Sequence, residues 1–172
     1  MSRAINEVRK FYQTNKEKIP FSVSDSIEDA LLIFFSILKN QDIHVDFEYR
    51  GLQMAYGVPN EFSQIVLQIL TNARESFEMN NIQNRKIKIQ ICHTENLIIV
   101  EFTDNEGGLN PAHISGLIEL NSTAKEHGTG NGLYISKIII EKMNGSLKVE
   151  NTEDGARYSL TVPKVSSENK TS

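Results

Sequence analysis

The sequence predicts an α+β fold, in which one β-sheet carries helices packed on a single face. Two patterns lead there. Segments 24–39 and 60–77 repeat apolar residues every three or four positions, the period of a helix with one buried stripe. Segments 42–49 and 86–93 alternate apolar with polar residues, as half-buried strands do, and 96–104, 146–151 and 156–163 read as further strands. The 172 residues suit one domain of about 100–200 residues with a short extension. A composition of 39% hydrophobic and 23% charged residues supports an ordinary core.

The elements follow in order. Ile5, Val8, Phe11 and Tyr12 share one helical face, which "TNKEKIPF" interrupts. Residues 1–20 therefore read as the end of a helix from another domain plus a linker. The main domain spans 21–164. Its first helix is capped by Ser24 or Asp25 and runs to about Lys39, with Ile27, Leu31, Phe34, Phe35 and Leu38 inward. "DIHVDFEY" places Ile43, Val45, Phe47 and Tyr49 on one side of a strand. A second helix follows Pro59 and Asn60, burying Phe62, Ile65, Val66, Ile69, Ala73 and Phe77. "KIKIQICH" and "NLIIVEFTD" form a hairpin across a short loop. Residues 110–127 are irregular and polar, long enough for a loop to need a functional reason. A glycine cluster opens a further helix, and "SLKVEN" and "ARYSLTVP" pair around the Asp154-Gly155 turn. Residues 165–172 form a polar tail expected to be disordered.

Several functions are excluded early. The net charge is −4 with no basic block, which argues against nucleic acid as a partner. One cysteine, Cys92, allows neither an internal disulfide nor a thiolate zinc cluster and favours a reducing, cytoplasmic setting. No stretch approaches the ~20 apolar residues of a membrane span, and the N-terminus lacks the apolar core of a signal peptide. This chain itself is expected to make no membrane contact, although a longer parent could be anchored.

Three polar features interrupt the apolar logic. Asn72 falls at the edge of the second helix's buried stripe, with Gln68 one turn earlier on the same side. Such an amide either bonds a neighbouring backbone or offers oxygen to a hard cation such as magnesium. Asp104 ends a hydrophobic strand in "TDNEGGL". It is either a turn residue or an acceptor for an exocyclic amine, with Gly107 and Gly108 letting the backbone approach a flat base. The third is "GTGNGLYISKIII", glycines set directly against a helix N-terminus, whose free N–H groups suit phosphate. It is no P-loop, because Leu133 and Tyr134 follow Gly132. It is no dinucleotide fingerprint either, because Leu133 stands where the third glycine belongs.

Helix with Asn, strand ending in Asp-x-x-Gly-Gly, irregular segment, then Gly-Thr-Gly-x-Gly-Leu: this order resembles the GHKL ATP-binding family (the Bergerat-type fold). Within it, the chain looks like the catalytic domain of bacterial sensor histidine kinases. "LQILTNARESF", "DNEGGL" and "GTGNGLYISKIIIEKMNGSLKVEN" match its three boxes, over about residues 24–163. The resemblance implies a mixed sheet with three helices in a two-layer sandwich, and ATP with Mg2+ as ligands. By that resemblance Asn72 would bind magnesium, Asp104 the adenine amino group, and Gly108 would line the adenine pocket. Gly128, Thr129, Gly130, Gly132 and Leu133 would surround the phosphates. Residues 110–127 would form a lid, and Lys125 in "STAKEHGTG" would contact phosphate.

Departures from the family pattern carry their own expectations. Gln68 stands where histidine kinases usually have Asn and hydrolysing relatives have Glu. An amide is no general base, so water should be a poor acceptor. Glu106 replaces a small residue and is expected to add negative charge near the nucleotide. Ile118 lies near the position of the lid's usual phenylalanine. None of His44, His93, His113 and His127 matches a phosphoacceptor motif. The implied partners are therefore a separate dimerisation and phosphoacceptor domain and a response regulator. A nucleotide-binding regulatory module without kinase activity, or an anti-sigma-type serine kinase, are the alternatives.

Overall fold

The computed structural model describes residues 17–108 and 130–165, with only the backbone of residues 130 and 131. The chain starts with strand β1 (Ile19–Ser22), helix α1 (Val23–Asn40), strands β2 (Ile43–Glu48) and β3 (Met54–Gly57), and helix α2 (Pro59–Met79). Strands β4 (Arg85–His93) and β5 (Leu97–Asp104), helix α3 (Gly130–Lys142), and strands β6 (Ser146–Asn151) and β7 (Ala156–Pro163) complete it. Five strands form one mixed sheet in the order β2-β4-β5-β7-β6. β2 runs parallel to β4, and the other neighbours are antiparallel.

Strand alternation decides which face is covered. Ile87 and Ile89, then Ile98, Val100 and Phe102, and Tyr158, Leu160 and Val162 are all buried against the helices. Lys86, Lys88, Glu101, Thr103, Arg157 and Ser159 occupy the intervening positions, so the opposite face is polar. The α2 stripe behaves as its period requires: Phe62, Ile65, Val66, Ile69, Ala73 and Phe77 are each buried. Fully burying one such side chain stabilises by about 1.5–3 kcal/mol. α1 and α3 flank α2, and a buried Ser63 hydroxyl donates to the Ser26 carbonyl at 2.9 Å, fixing α1 against α2.

Three local expectations need correction. α1 is capped by Ser22, whose hydroxyl accepts from the Asp25 N–H at 3.3 Å. Ser24 lies inside the helix and is buried, so it cannot serve as the cap. Phe35 is 60% exposed, because α1 turns only a narrow stripe inward and Phe34 takes the core position. A second, two-stranded sheet also exists. β1 and β3 pair antiparallel, and Ala55 bridges Lys164 while the Val165 N–H donates to the Met54 carbonyl. Residues 1–16, the expected lid at 110–127 and the tail from 166 onward lie outside the described residues.

Candidate functional site

Helix α2 carries the site's framework. Gln68, Asn72, Ser76 and Asn80 recur every fourth residue, so they form one polar ridge along the helix. Twelve residues at 1.5 Å rise span roughly 18 Å. At one end the Gln68 amide donates to Asn72 Oδ1 at 3.0 Å. Asn72 is buried, and its Nδ2 has no partner among the described residues. The first turn of α3 reaches the same place. A Cβ added at Gly132 would run into the Gln68 amide group, so glycine is what allows this close approach. The N–H groups of Gly130, Asn131 and Gly132, the first three of α3, have no partners within the helix. Leu133 itself is fully buried in the core, so its side chain packs there.

The other end of the ridge meets the end of β5. α2 closes with Asn81 at φ 56° and the Ile82 N–H donating to the Phe77 carbonyl at 3.0 Å. That closure sets Asn80, whose Nδ2 donates to the Glu106 carbonyl at 2.7 Å. Asp104 continues the buried register of Ile98, Val100 and Phe102, which turns its carboxylate onto the covered face. Its Oδ1 accepts from the Ala156 N–H at 3.0 Å and the Glu106 N–H at 3.3 Å. Gly107 and Gly108 follow at φ 91° and 87°, a conformation that disfavours side chains. Gly155 passes against the Asp104 carbonyl, so closely that an added Cβ would strike it.

The electrostatics of this corner differ from expectation. Burial pushes the Asp104 carboxyl up to about 6, while its two backbone donors pull it back. Burial and the neighbouring Asp104 charge push Glu106 up to about 8. Both influences favour the protonated form of Glu106 and oppose the added negative charge expected from sequence. A carboxylate without strong donors is too costly to keep in a buried place. Tyr158, also buried, has its hydroxyl raised by burial, then by Glu106 and Asp104.

The structure thus groups Gln68, Asn72 and Gly132 at one end of the ridge, and Asp104 with Gly108 at the other. Lys125, Gly128 and Thr129 lie outside the described residues. Ser76, Asn80, Gly155 and Tyr158 were missed by sequence reading. The four-residue spacing from Gln68 to Asn80 was a visible signal for two of them. The Asp154-Gly155 turn was visible, but nothing local links Gly155 or Tyr158 to Asp104, which they reach only through the β5–β7 pairing. A groove lined by His44, Asp46, Lys86, Lys88 and Arg157 runs along the sheet's polar face and reaches Asp104 and Asn105 at the end of β5.

Comparisons with known proteins agree with this fold. The family model described as histidine kinase-, DNA gyrase B-, and HSP90-like ATPase matches residues 57–166. The chain is 31% identical over 161 residues to a probable C4-dicarboxylate sensor kinase of Bacillus subtilis, covering 87% of this chain and 30% of that protein. It is 26% identical over 153 residues to the two-component sensor PprA of Pseudomonas aeruginosa, covering 86% of this chain and 17% of that protein. The chain therefore spans less than a third of these relatives. The catalytic domain of histidine kinase ThkA superposes with a TM-score of 0.75 at 23% identity, covering 86% of this chain and 96% of that one, a likeness of fold. The chain belongs to the histidine kinase-, DNA gyrase B- and HSP90-like ATPase family.

Proposed function

We propose that this chain is the ATP-binding catalytic domain of a two-component sensor kinase, delivering the γ-phosphoryl group of ATP to a histidine on a separate dimerisation domain. A response regulator would receive the group in turn. The polar ridge of α2 carries this reading, because it joins a strand-end carboxylate to a glycine-opened helix start. Asp104 would accept the adenine amino group; both described backbone bonds fall on Oδ1, which leaves Oδ2 for a ligand. Gly108 would line the base, and the N–H groups at the start of α3 would face the phosphates.

Asn72 is a buried amide at the phosphate end: its Oδ1, which accepts from Gln68, is the atom a hard cation would take, and its unpartnered Nδ2 would donate to a phosphate oxygen. Among the described residues no cluster of three acidic, histidine or cysteine side chains could hold a metal alone. Magnesium would then be shared between Asn72 and the phosphates, and when bound it neutralises charge on the triphosphate. Lys125, Gly128 and Thr129 would complete the phosphate contacts. Gln68 cannot take a proton from water, which favours an acceptor that is itself a nucleophile.

The described histidines are poorly placed as that acceptor. His93 pairs with Ile98 across the hairpin, six residues before Asp104 and roughly 20 Å away along the strand. It lies 2.8 Å from Lys164 Nζ. His44 lies on the polar face, and His113 and His127 are outside the described residues. Among the described residues no helix is long and apolar enough to cross a membrane. A cytoplasmic location is part of this proposal. The test is radiolabelled ATP with the chain alone, then with a dimerisation domain, followed by acid. Acid-labile label on the added domain alone is expected. Acid-stable label, or strong self-labelling, overturns the reading.

A further inference from the structure

Glu106 has a role that family likeness does not supply. It is fully buried, and neither carboxyl oxygen has a partner at full hydrogen-bond geometry among the described residues. Its backbone is nevertheless built into the site: the N–H donates to Asp104 and the carbonyl accepts from Asn80. Two buried carboxyls therefore stand side by side with unequal support. Asp104 has two backbone N–H donors and suits the anion, whereas Glu106 has only the Ser76 hydroxyl beside it and suits the neutral acid.

We propose that Glu106 is a positioning residue of the nucleotide site, its protonated carboxyl keeping Asp104 an anionic acceptor so that adenine-nucleotide binding is governed by one shared proton. This rests on Asp104 as the adenine acceptor. The groups acting on the pair come from three elements: Asp104 itself on β5, the buried Tyr158 hydroxyl on β7, and the neutral Ser76 and Asn80 from α2 and its end. No cation acts on either carboxyl among the described residues. The pair holds one proton between its two titrations. Below about pH 6 a second proton reaches Asp104, which ceases to be a good acceptor. Above about pH 8 the remaining proton leaves Glu106, and two adjacent buried anions drive the 104–108 turn open.

The test is ATP and GTP affinity from pH 5 to 9 for the whole chain, for Glu106→Gln and for Asp104→Asn. Glutamine keeps the shape and a neutral donor but has no proton to lose. Wild-type ATP affinity should fall on both sides of the window, by up to tenfold per pH unit for one linked proton. Glu106→Gln should keep the acid-side fall and lose the alkaline one. An alkaline fall identical in wild type and Glu106→Gln overturns the proposal. If ATP preference over GTP is lost in Asp104→Asn while that happens, the adenine assignment stands and only the role of Glu106 fails. If Asp104→Asn changes neither affinity nor preference at pH 7, the adenine assignment itself is refuted.

Discussion

Substituting Gly155 by alanine probes the contact that positions Asp104. The added Cβ would meet the Asp104 carbonyl oxygen, with the carbonyl carbon and Oδ1 each at 2.7 Å. Two of those atoms are backbone, so no rotamer change can make room. The start of β7 must retreat from β5, which strains the Ala156 N–H bond to Oδ1 and the Thr152–Gly155 turn. Overpacking costs about 1–3 kcal/mol. Loss of a hydrogen bond to a charged group costs about 1.5–3 kcal/mol. Together they predict a destabilisation of about 2.5–6 kcal/mol, a large part of a typical domain's 5–15 kcal/mol. ATP affinity should drop as well, because Asp104 loses a donor that holds it ionised and in place. Urea unfolding and ATP titration of the folded protein measure both. Stability within about 1 kcal/mol of wild type with undiminished ATP affinity would show that Gly155 does not hold this corner.

Three further outcomes follow from the same geometry. Both carboxyls of the buried pair bind protons more tightly folded than unfolded, so their contribution to stability is complete below about pH 4 and is lost as pH rises through about 8. Urea melts at pH 5, 6.5 and 8.5 should show Glu106→Gln gaining on wild type as pH rises, by up to about 1.4 kcal/mol per unit; parallel curves would exclude a buried proton on Glu106. Ser22→Ala removes the cap of α1 and should cost about 0.5–2 kcal/mol in the same assay, whereas an equal loss from Ser24→Ala alone would restore Ser24 as the cap. Asn72→Ala should reduce magnesium-dependent phosphoryl transfer with little change in unfolding temperature; a large drop in that temperature with activity per folded molecule intact would make Asn72 a structural residue.

Much of this molecule is legible in its residues because its long elements obey one period throughout. The α2 stripe from Phe62 to Phe77 and the alternation from Ile87 to Ile91 each contain enough repeats to leave a single choice of face. β1 and β3 do not. "IPFS" and "MAYG" are four residues each, and what makes them strands is their pairing with each other, a long-range fact. Phe35 looked inward because Phe34 and Phe35 are adjacent on a helix, and only packing against α2 decides between them. Asp104, Asn72 and Gln68 were visible as polar residues in apolar surroundings. Glu106 was misjudged for the opposite reason: its sequence shows a charge, and burial removes it. The bond from Ala156 to Asp104 bridges 52 residues, a distance no local pattern encodes.

The most direct measurement of the central claim is calorimetric titration of the intact chain with Mg-ATP and Mg-GTP at pH 7, repeated with Asp104→Asn. Wild type should bind ATP in preference to GTP. The substitution should weaken ATP by roughly 10- to 150-fold, the equivalent of one buried charged hydrogen bond of about 1.5–3 kcal/mol, and should leave GTP nearly unchanged. Equal binding of ATP by wild type and Asp104→Asn, or no preference between the two nucleotides, would contradict Asp104 as the adenine acceptor and with it the assignment of this site to ATP.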